Sequence, residues 1–185
     1  RKDCDDLVQN ADSAEVQLWR EFYNAGLVHL TSLQEFSNEL ASAQDSETVA
    51  YYTKTIDAKA DTCMAYMNLA LKIDSTDYRP YFAIGSILEG QKKYEAAIQW
   101  FQKGLDHTDD SSSMLLSVAY NYVNLDKYCE GIPYFEHYFR LNPTDLPNAN
   151  NLTICYIRCE KYDEAVATYR KMLAVDSTHP DALLG

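Results

Sequence analysis

A period of 34 residues runs through the second half of this chain and limits its fold more than any other feature. The dipeptide Lys-Tyr opens the same pattern three times, at 93–94, 127–128 and 161–162. A small residue and then an aromatic one follow each dipeptide at fixed distances: Ala97 and Phe101, Gly131 and Phe135, Ala165 and Tyr169. A period of this length predicts a stack of equivalent units rather than one core of unique topology.

Two amphipathic helices are predicted within each unit. Apolar residues recur at steps of three and four over two segments of about 13 residues, which is the spacing of one face of an α-helix. Short polar breaks separate the two segments, at 91–93, 126–127 and 160–161. Each pair is therefore expected to form an antiparallel hairpin. Because a single hairpin cannot cover its own apolar face, neighbouring hairpins are expected to stack.

The repeat resembles the tetratricopeptide family, whose unit is also about 34 residues long. The resemblance covers 78–111, 112–145 and 146–179. The tryptophan that is usual in the first helix is replaced by Tyr81, Leu115 and Ala149, and the usual closing proline remains only as Pro143. The resemblance implies an all-α fold: a right-handed α-solenoid of tetratricopeptide-like helix hairpins with an N-terminal helical cap.

The remaining segments are predicted to extend this array at both ends. Residues 1–43 form the N-terminal helical cap, in which 13–43 is one long helix or two short ones broken near Gly26, with Ser13 as the N-cap. Residues 44–77 form a degenerate first hairpin, whose second helix covers 61–73. Residues 180–185 are predicted to be the start of a further, truncated helix.

The resemblance also implies a binding groove, because the first helices of tetratricopeptide hairpins line a concave face that usually holds a peptide or a helix. Helical geometry selects the side chains on these helices that point away from the second helices. The predicted groove residues are Arg79, Phe82, Ser86, Glu89, Leu116, Tyr120, Asn124, Asn150, Ile154 and Arg158. Their apolar centre and polar surroundings suit an apolar helix or strand with a few polar anchors.

One well-known mode of binding in this family is not predicted here. A subfamily grips the C-terminal carboxylate of chaperone tails with a set of Lys, Asn and Arg side chains. This sequence has Phe82, Ser86 and Ser117 at positions that the subfamily fills with such residues. A carboxylate clamp is therefore not expected.

The predicted function is a non-catalytic scaffold or binding module that recognises a protein or peptide in the groove. The alternative is a structural or oligomerisation module whose groove is filled by its own N-terminal helix or by a second copy of the chain. The four histidines are scattered, and neither a phosphate-binding loop nor a hydrolase motif occurs. We therefore expect no enzyme activity, no catalytic residues, no cofactor and no metal.

Charge and hydropathy argue against two classes of partner. The formal net charge is −12, and a chain of this charge repels both phosphate backbones and anionic lipid surfaces. Nucleic-acid binding is therefore not expected. No apolar stretch approaches the roughly 18 residues that a membrane-spanning helix needs, so membrane insertion is not expected either.

The five cysteines and the first residue give conflicting indications of the compartment. Cys155 and Cys159 lie one helical turn apart without a second pair nearby, so apolar core positions are a better interpretation than a metal site. A disulfide between neighbouring helices, such as Cys129 with Cys159, is the alternative in an oxidising compartment. An initial Arg in place of Met slightly favours an exported, periplasmic bacterial protein over a cytoplasmic one, and the partner's identity stays open.

Overall fold

The computed structural model describes residues 2–108 and 112–184, with side chains described from residue 14 onwards except at 181 and 184. Within these residues the chain forms helices joined by short loops. They are α1 (Lys2–Ser42), α2 (Ser46–Ile73), α3 (Tyr78–Gly90), α4 (Tyr94–Leu105), α5 (Ser112–Asn124), α6 (Tyr128–Leu141), α7 (Leu146–Arg158), α8 (Tyr162–Val175) and α9 (Pro180–Leu184). No strand occurs in the described residues, and the predicted all-α repeat fold is confirmed.

The chain divides into two compact units, Arg1–Ile87 and Leu88–Gly185, with the boundary inside α3. Of the three predicted repeats, 78–111 contains α3 and α4, 112–145 contains α5 and α6, and 146–179 contains α7 and α8. The boundary at 111 lies outside the described residues. The short α9 begins at Pro180, where the start of a further helix was predicted.

The N-terminal segment is one uninterrupted helix of 41 residues. Of the two alternatives predicted for 13–43, the single long helix is the observed one, and the helix is not broken near Gly26. Ser13 lies inside α1 rather than at its N-cap, so that expectation is wrong. A serine followed by an apolar residue is a common N-terminal signal. Here the helical pattern continues upstream of Ser13 without Pro or Gly, and the signal does not mark an end.

The degenerate hairpin predicted over 44–77 is also wrong, because 46–73 is a single helix. Asp45 caps this helix by accepting a hydrogen bond from the Thr48 backbone N–H at 2.8 Å. That hydrogen bond lowers the pKa of the Asp45 carboxyl. No Pro or Gly occurs between residues 46 and 73 to interrupt the backbone ladder. The predicted end at Ile73 is correct.

Helices α1 and α2 pair with each other as one long antiparallel hairpin. Ring contacts run in opposite directions along the two helices, with Phe36 against Tyr52 at 5.8 Å and Phe22 against Tyr66 at 6.4 Å between centroids. Gly26 lies at a close approach, since a Cβ added there would come within 2.5 Å of the Met67 methyl carbon. The glycine that the sequence suggested as a break therefore allows the two helices to pack closely.

The three short hairpins share one turn geometry, repeated every 34 residues. Lys92, Asp126 and Glu160 have φ angles of 59°, 57° and 59°, in the left-handed region. The N–H of the residue that follows each of them donates to a carbonyl in the last turn of the preceding helix: Lys93 to Leu88, Lys127 to Tyr122 and Lys161 to Tyr156. This is the Schellman arrangement, which most often has glycine at the left-handed position.

Replacing Lys92 with glycine should stabilise the protein by about 0.5–1 kcal/mol. Glycine removes the energetic penalty of the left-handed conformation, which is about 1–2 kcal/mol. Part of this gain is lost because glycine also gives the unfolded chain more conformational freedom. Lys103→Gly is the control, because Lys103 is an exposed residue inside α4 and glycine in a helix interior is destabilising by roughly 0.5–1 kcal/mol. Urea denaturation should move the midpoints of the two variants in opposite directions, and a shift in the same direction would contradict the assigned turn.

The core of Leu88–Gly185 is formed by apolar faces from successive helices. Its main cluster comprises Ala119, Ile132, Phe135, Leu152, Cys155, Tyr156 and Ala165. Gly131 lies against α5, and a Cβ built there would be 3.3 Å from the carbonyl oxygen of Ala119. A second cluster of Ala149, Met172 and Ala182 joins α9 to α7 and α8. The small residues of the repeat thus lie where the helices approach most closely.

Candidate functional site

The predicted groove residues fall in both units. Arg79, Phe82 and Ser86 belong to Arg1–Ile87, and the seven from Glu89 to Arg158 belong to Leu88–Gly185. Each set therefore has its own surroundings within its unit.

Arg79 is held by groups of its own unit. Its guanidinium pairs with the Asp77 carboxylate, with Nε 2.9 Å from Oδ1, and this hydrogen bond raises the pKa of Arg79 further. The same guanidinium lies 4.5 Å from the ring centre of Trp19 and 5.2 Å from that of Tyr23. Cation–π contacts and a bidentate carboxylate together hold this side chain against α1.

A cavity of about 410 Å³ adjoins this arginine within the same unit. Trp19 lines it and is only 7% exposed, and its indole N–H has no hydrogen-bond partner among the described residues. The other lining residues are Glu15, Val16, Arg20, Ile73, Asp74, Asp77 and Arg79. This cavity could not be predicted from the sequence, because the residues that line it come from α1, from the end of α2 and the loop after it, and from α3.

The other two predicted groove residues of this unit are half-buried. The Ser86 hydroxyl donates to the backbone carbonyl of Phe82 at 2.9 Å. The hydrogen of this hydroxyl is therefore already donated to an acceptor within α3.

Tyr120 joins α5 to α7 rather than standing free on the surface. Its hydroxyl donates to Asn148 Oδ1 at 2.5 Å and accepts from Asn151 Nδ2 at 2.6 Å. Its ring makes an edge contact with Phe135 at 5.3 Å between centroids. Burial raises the pKa of this hydroxyl, partly offset by the hydrogen bond from Asn151. Leu116, also predicted for the groove, packs partly against the same core.

Two isoleucines on α7 are the large apolar side chains of this helix that are exposed. Ile154 is 41% exposed and Ile157 is 42% exposed. Together with the half-buried Leu116 and Tyr120 they form what we call the α5–α7 face. Asn150 on the same helix is half-buried, and Asn124 of α5 is exposed.

Arg158 ends α7 and is exposed, yet it is not directed freely into solvent. Its guanidinium lies 5.5 Å from the centre of the Tyr128 ring at the start of α6. The side chain therefore has an aromatic partner within its own unit.

Glu89 lies in the last turn of α3 and is held by α5. The Asn121 side chain donates from Nδ2 to Glu89 Oε1 at 2.9 Å and to the Ser117 carbonyl at 2.7 Å. Asn121 is 0% exposed, and its carbonyl oxygen Oδ1 finds no donor among the described residues. Burial raises the pKa of Glu89, and the hydrogen bond from Asn121 offsets only part of that effect.

Asn121 was not among the predicted groove residues, although the sequence contains a signal for it. In the 34-residue register Asn121 aligns with Ile87 and Cys155, both apolar core residues. An asparagine at a core position needs hydrogen-bond partners. The register alone therefore marks Asn121 as unusual, but it does not name Glu89 as its partner.

A disulfide links two successive hairpins beside their turns. Cys129 in the first turn of α6 is bonded to Cys159, the C-cap of α7, with a Cα–Cα distance of 5.6 Å. Cys63 and Cys155 are free and buried. Cys155 is thus buried as an apolar core position would be, whereas Cys159 is bonded to Cys129, so for Cys159 the disulfide alternative is the observed one.

The described residues contain no group of three or more His, Cys, Asp or Glu side chains placed to hold a metal ion. Within the same part of the chain, no helix has both the length and the apolar character to cross a bilayer.

Comparisons with known proteins agree with this architecture. Two family models described as tetratricopeptide repeat match residues 78–106 and 149–183. The chain is also 24% identical over 173 residues to trafficking protein particle complex subunit 12 of Mus musculus. That match covers 94% of this chain but only 20% of the mouse protein, so the chain spans about a fifth of its relative.

Solved structures with similar folds are themselves repeat proteins. YrrB, a tetratricopeptide protein with an unusual peptide-binding site, has a TM-score of 0.59 at 19% identity over 80% of this chain and 77% of its own. A tetratricopeptide repeat protein from Parabacteroides merdae also has a TM-score of 0.59, at 16% identity, over 83% of this chain and 57% of its own. The repeat matches and the fold together identify this chain as a tetratricopeptide-repeat protein.

Proposed function

We propose that this chain is a non-catalytic protein-interaction module whose α5–α7 face holds a peptide segment of a partner protein. Tetratricopeptide-repeat proteins generally act as protein-interaction scaffolds, and the similar fold of YrrB is described with a peptide-binding site. The observation that carries the proposal is the exposure of Ile154 and Ile157 side by side on α7. Contiguous exposed apolar patches are typical of surfaces that a partner covers.

Occupation of this face by the chain's own α1 is the less favoured arrangement. On α1, Phe22 packs on Tyr66 and Phe36 on Tyr52 of α2, while Trp19 and Tyr23 lie against Arg79 of α3. These contacts already occupy the sides of α1 that carry its described aromatic residues. A second copy of the chain remains the alternative occupant.

Peptide display tests the proposal. Random 12-residue peptides are selected on the wild type, and the best binder is measured on the double variant Ile154→Ser/Ile157→Ser. We expect a loss of at least tenfold in affinity, with little change in the urea midpoint, because exposed side chains contribute little to stability. The matched control is Val166→Ser on α8, since Val166 is 42% exposed.

Four results would count against the proposal. Equal affinity of the double variant and the wild type would place the peptide elsewhere, and so would an equal loss in Val166→Ser. A selection that yields no binder would contradict peptide binding altogether. If light scattering instead shows a wild-type dimer that the double variant abolishes, a second copy occupies the face.

A further inference from the structure

Glu89 carries a charge in an unfavourable setting. It is half-buried in the last turn of α3, where no basic residue is present. The helix macrodipole places partial negative charge at this end, so an acidic side chain there is destabilising. Among the described residues its carboxylate has a neutral amide as partner and no cation within ion-pair distance.

The protein nevertheless holds this carboxylate in a fixed position. Asn121 is fully buried, and its Nδ2 group is shared between Glu89 and the Ser117 carbonyl, so the amide cannot turn without losing both hydrogen bonds. Its Oδ1 atom is a further acceptor without a described donor. The α3–α5 junction thus presents acceptors and lacks a positively charged donor.

The two cations among the predicted groove residues already have partners. Arg158 lies over the Tyr128 ring in the same unit. Arg79, in the other unit, pairs with Asp77. The unmatched charge of the predicted groove is therefore negative, and the net charge of the whole chain is −12.

From this geometry we infer that the α5–α7 face recognises a peptide carrying a Lys or Arg side chain beside apolar residues, with Glu89, oriented by Asn121, as the anchor for the cation. The inference rests on the proposed function. Lysine and arginine present donors and no acceptors, which is what this junction lacks. The acidic chain also favours the approach of a basic segment over long distances.

A double-mutant cycle, with one change in the peptide and one in the protein, tests whether Glu89 is the anchor for the cation. The peptide selected on the wild type is synthesised with its basic residue and again with norleucine in that place, and both are measured on the wild type and on Glu89→Gln. We expect norleucine to weaken binding about tenfold on the wild type and less than twofold on the variant, because a direct contact makes the two changes non-additive. Glu89→Gln keeps an oxygen for Asn121 and should unfold at the same or a higher urea concentration.

The control separates the local anchor from the overall charge. Glu95→Gln removes one negative charge as well, but Glu95 is an exposed residue of α4 paired loosely with Lys127 at 3.8 Å. It should preserve the tenfold preference for the basic peptide.

Each contrary result has a distinct meaning. An equal preference on the wild type and on Glu89→Gln would overturn the anchor, as would selected peptides without any enrichment of Lys or Arg, while peptide binding itself would stand. A loss of preference in Glu95→Gln would reduce the effect to general electrostatics and also overturn it. A selection without binders would contradict the proposed function.

Discussion

Breaking the Cys129–Cys159 disulfide is expected to lower the free energy of unfolding of the C-terminal unit by about 2–4 kcal/mol. The bond joins residues 30 positions apart, so it closes a loop of roughly 30 residues in the unfolded chain. The loss of chain entropy in that loop destabilises the unfolded state. Because the bond ties the start of α6 to the end of α7, the effect should appear in the packing of these two hairpins.

Urea denaturation of the wild type and of Cys129→Ser/Cys159→Ser, each with and without a dithiol reductant, measures this effect. The oxidised wild type should be the most stable of the four samples, and the reductant should bring it close to the double variant. Cys63→Ser is the control, since Cys63 is a free, buried thiol; its stability should fall with reductant as the wild type's does. A wild type that reductant leaves unchanged, or in which it uncovers no additional thiols, would contradict the bond.

Cys155 lies one turn before Cys159 but should not exchange with the disulfide. Burial raises the pKa of the Cys155 thiol to about 11. Only the thiolate attacks a disulfide sulfur. At neutral pH this thiol stays protonated, so the pairing of Cys129 with Cys159 should persist in the folded protein.

The repeated part of the fold could be predicted because its sequence pattern occurs three times. Phe101, Phe135 and Tyr169 recur in one register, and a register fixes helix positions and turn positions together. The left-handed turns at Lys92, Asp126 and Glu160 also follow that register. They could not be recognised beforehand, since none of the three is the glycine that usually marks such a turn.

The N-terminal part was predicted poorly because there the pattern occurs once. Stepping back one period placed a hairpin over 44–77, but the segment from Ser46 to Ile73 contains neither Pro nor Gly and continues as one helix. Gly26 suggested a break, yet it serves the close packing of α1 on α2. A lone glycine can either interrupt a helix or allow close packing, and only the position of the neighbouring helix distinguishes the two roles.

The predicted groove residues are less uniform than their positions suggest. Helical spacing tells which side of a helix a residue occupies, but not what lies opposite. Ile154 is exposed as expected, whereas Tyr120 bonds to the side chains of Asn148 and Asn151. The pairing of Glu89 with Asn121 depends on two residues 32 positions apart, and no local pattern connects them.

Replacing Asp145 with alanine should lower the free energy of unfolding by about 2–4 kcal/mol. Asp145 caps α7 by accepting from the Asn148 backbone N–H at 3.3 Å, and it accepts from Asn148 Nδ2 at 2.8 Å and from the Tyr138 hydroxyl. Loss of a cap costs about 0.5–2 kcal/mol. The Tyr138 hydroxyl would lose its acceptor, and an unsatisfied buried donor costs about 1–3 kcal/mol. Urea midpoints of the variant and wild type measure the sum.

Two conservative variants separate these contributions. Tyr138→Phe removes the hydroxyl together with its need for an acceptor, so it should cost only about 1 kcal/mol. Asp145→Asn keeps an oxygen for the cap but carries no charge, and its loss should lie between those of the other two variants. If Tyr138→Phe costs as much as Asp145→Ala, the cap of α7 contributes nothing and the assignment is wrong.

The charge on Asp145 gives the same contacts a dependence on pH. Burial alone would raise the pKa of Asp145, but hydrogen bonds from Tyr138 and Asn148 outweigh it and hold that pKa below its usual value. A carboxyl whose folded pKa is depressed stabilises the protein above its unfolded pKa of about 3.9. That stabilisation is lost as the pH falls through the lower folded value. The stability difference between wild type and Asp145→Asn should therefore be constant from pH 7 to about 5 and shrink below pH 4. A difference that persists unchanged into strong acid would mean that the ionised carboxylate is not what Tyr138 and Asn148 hold in place.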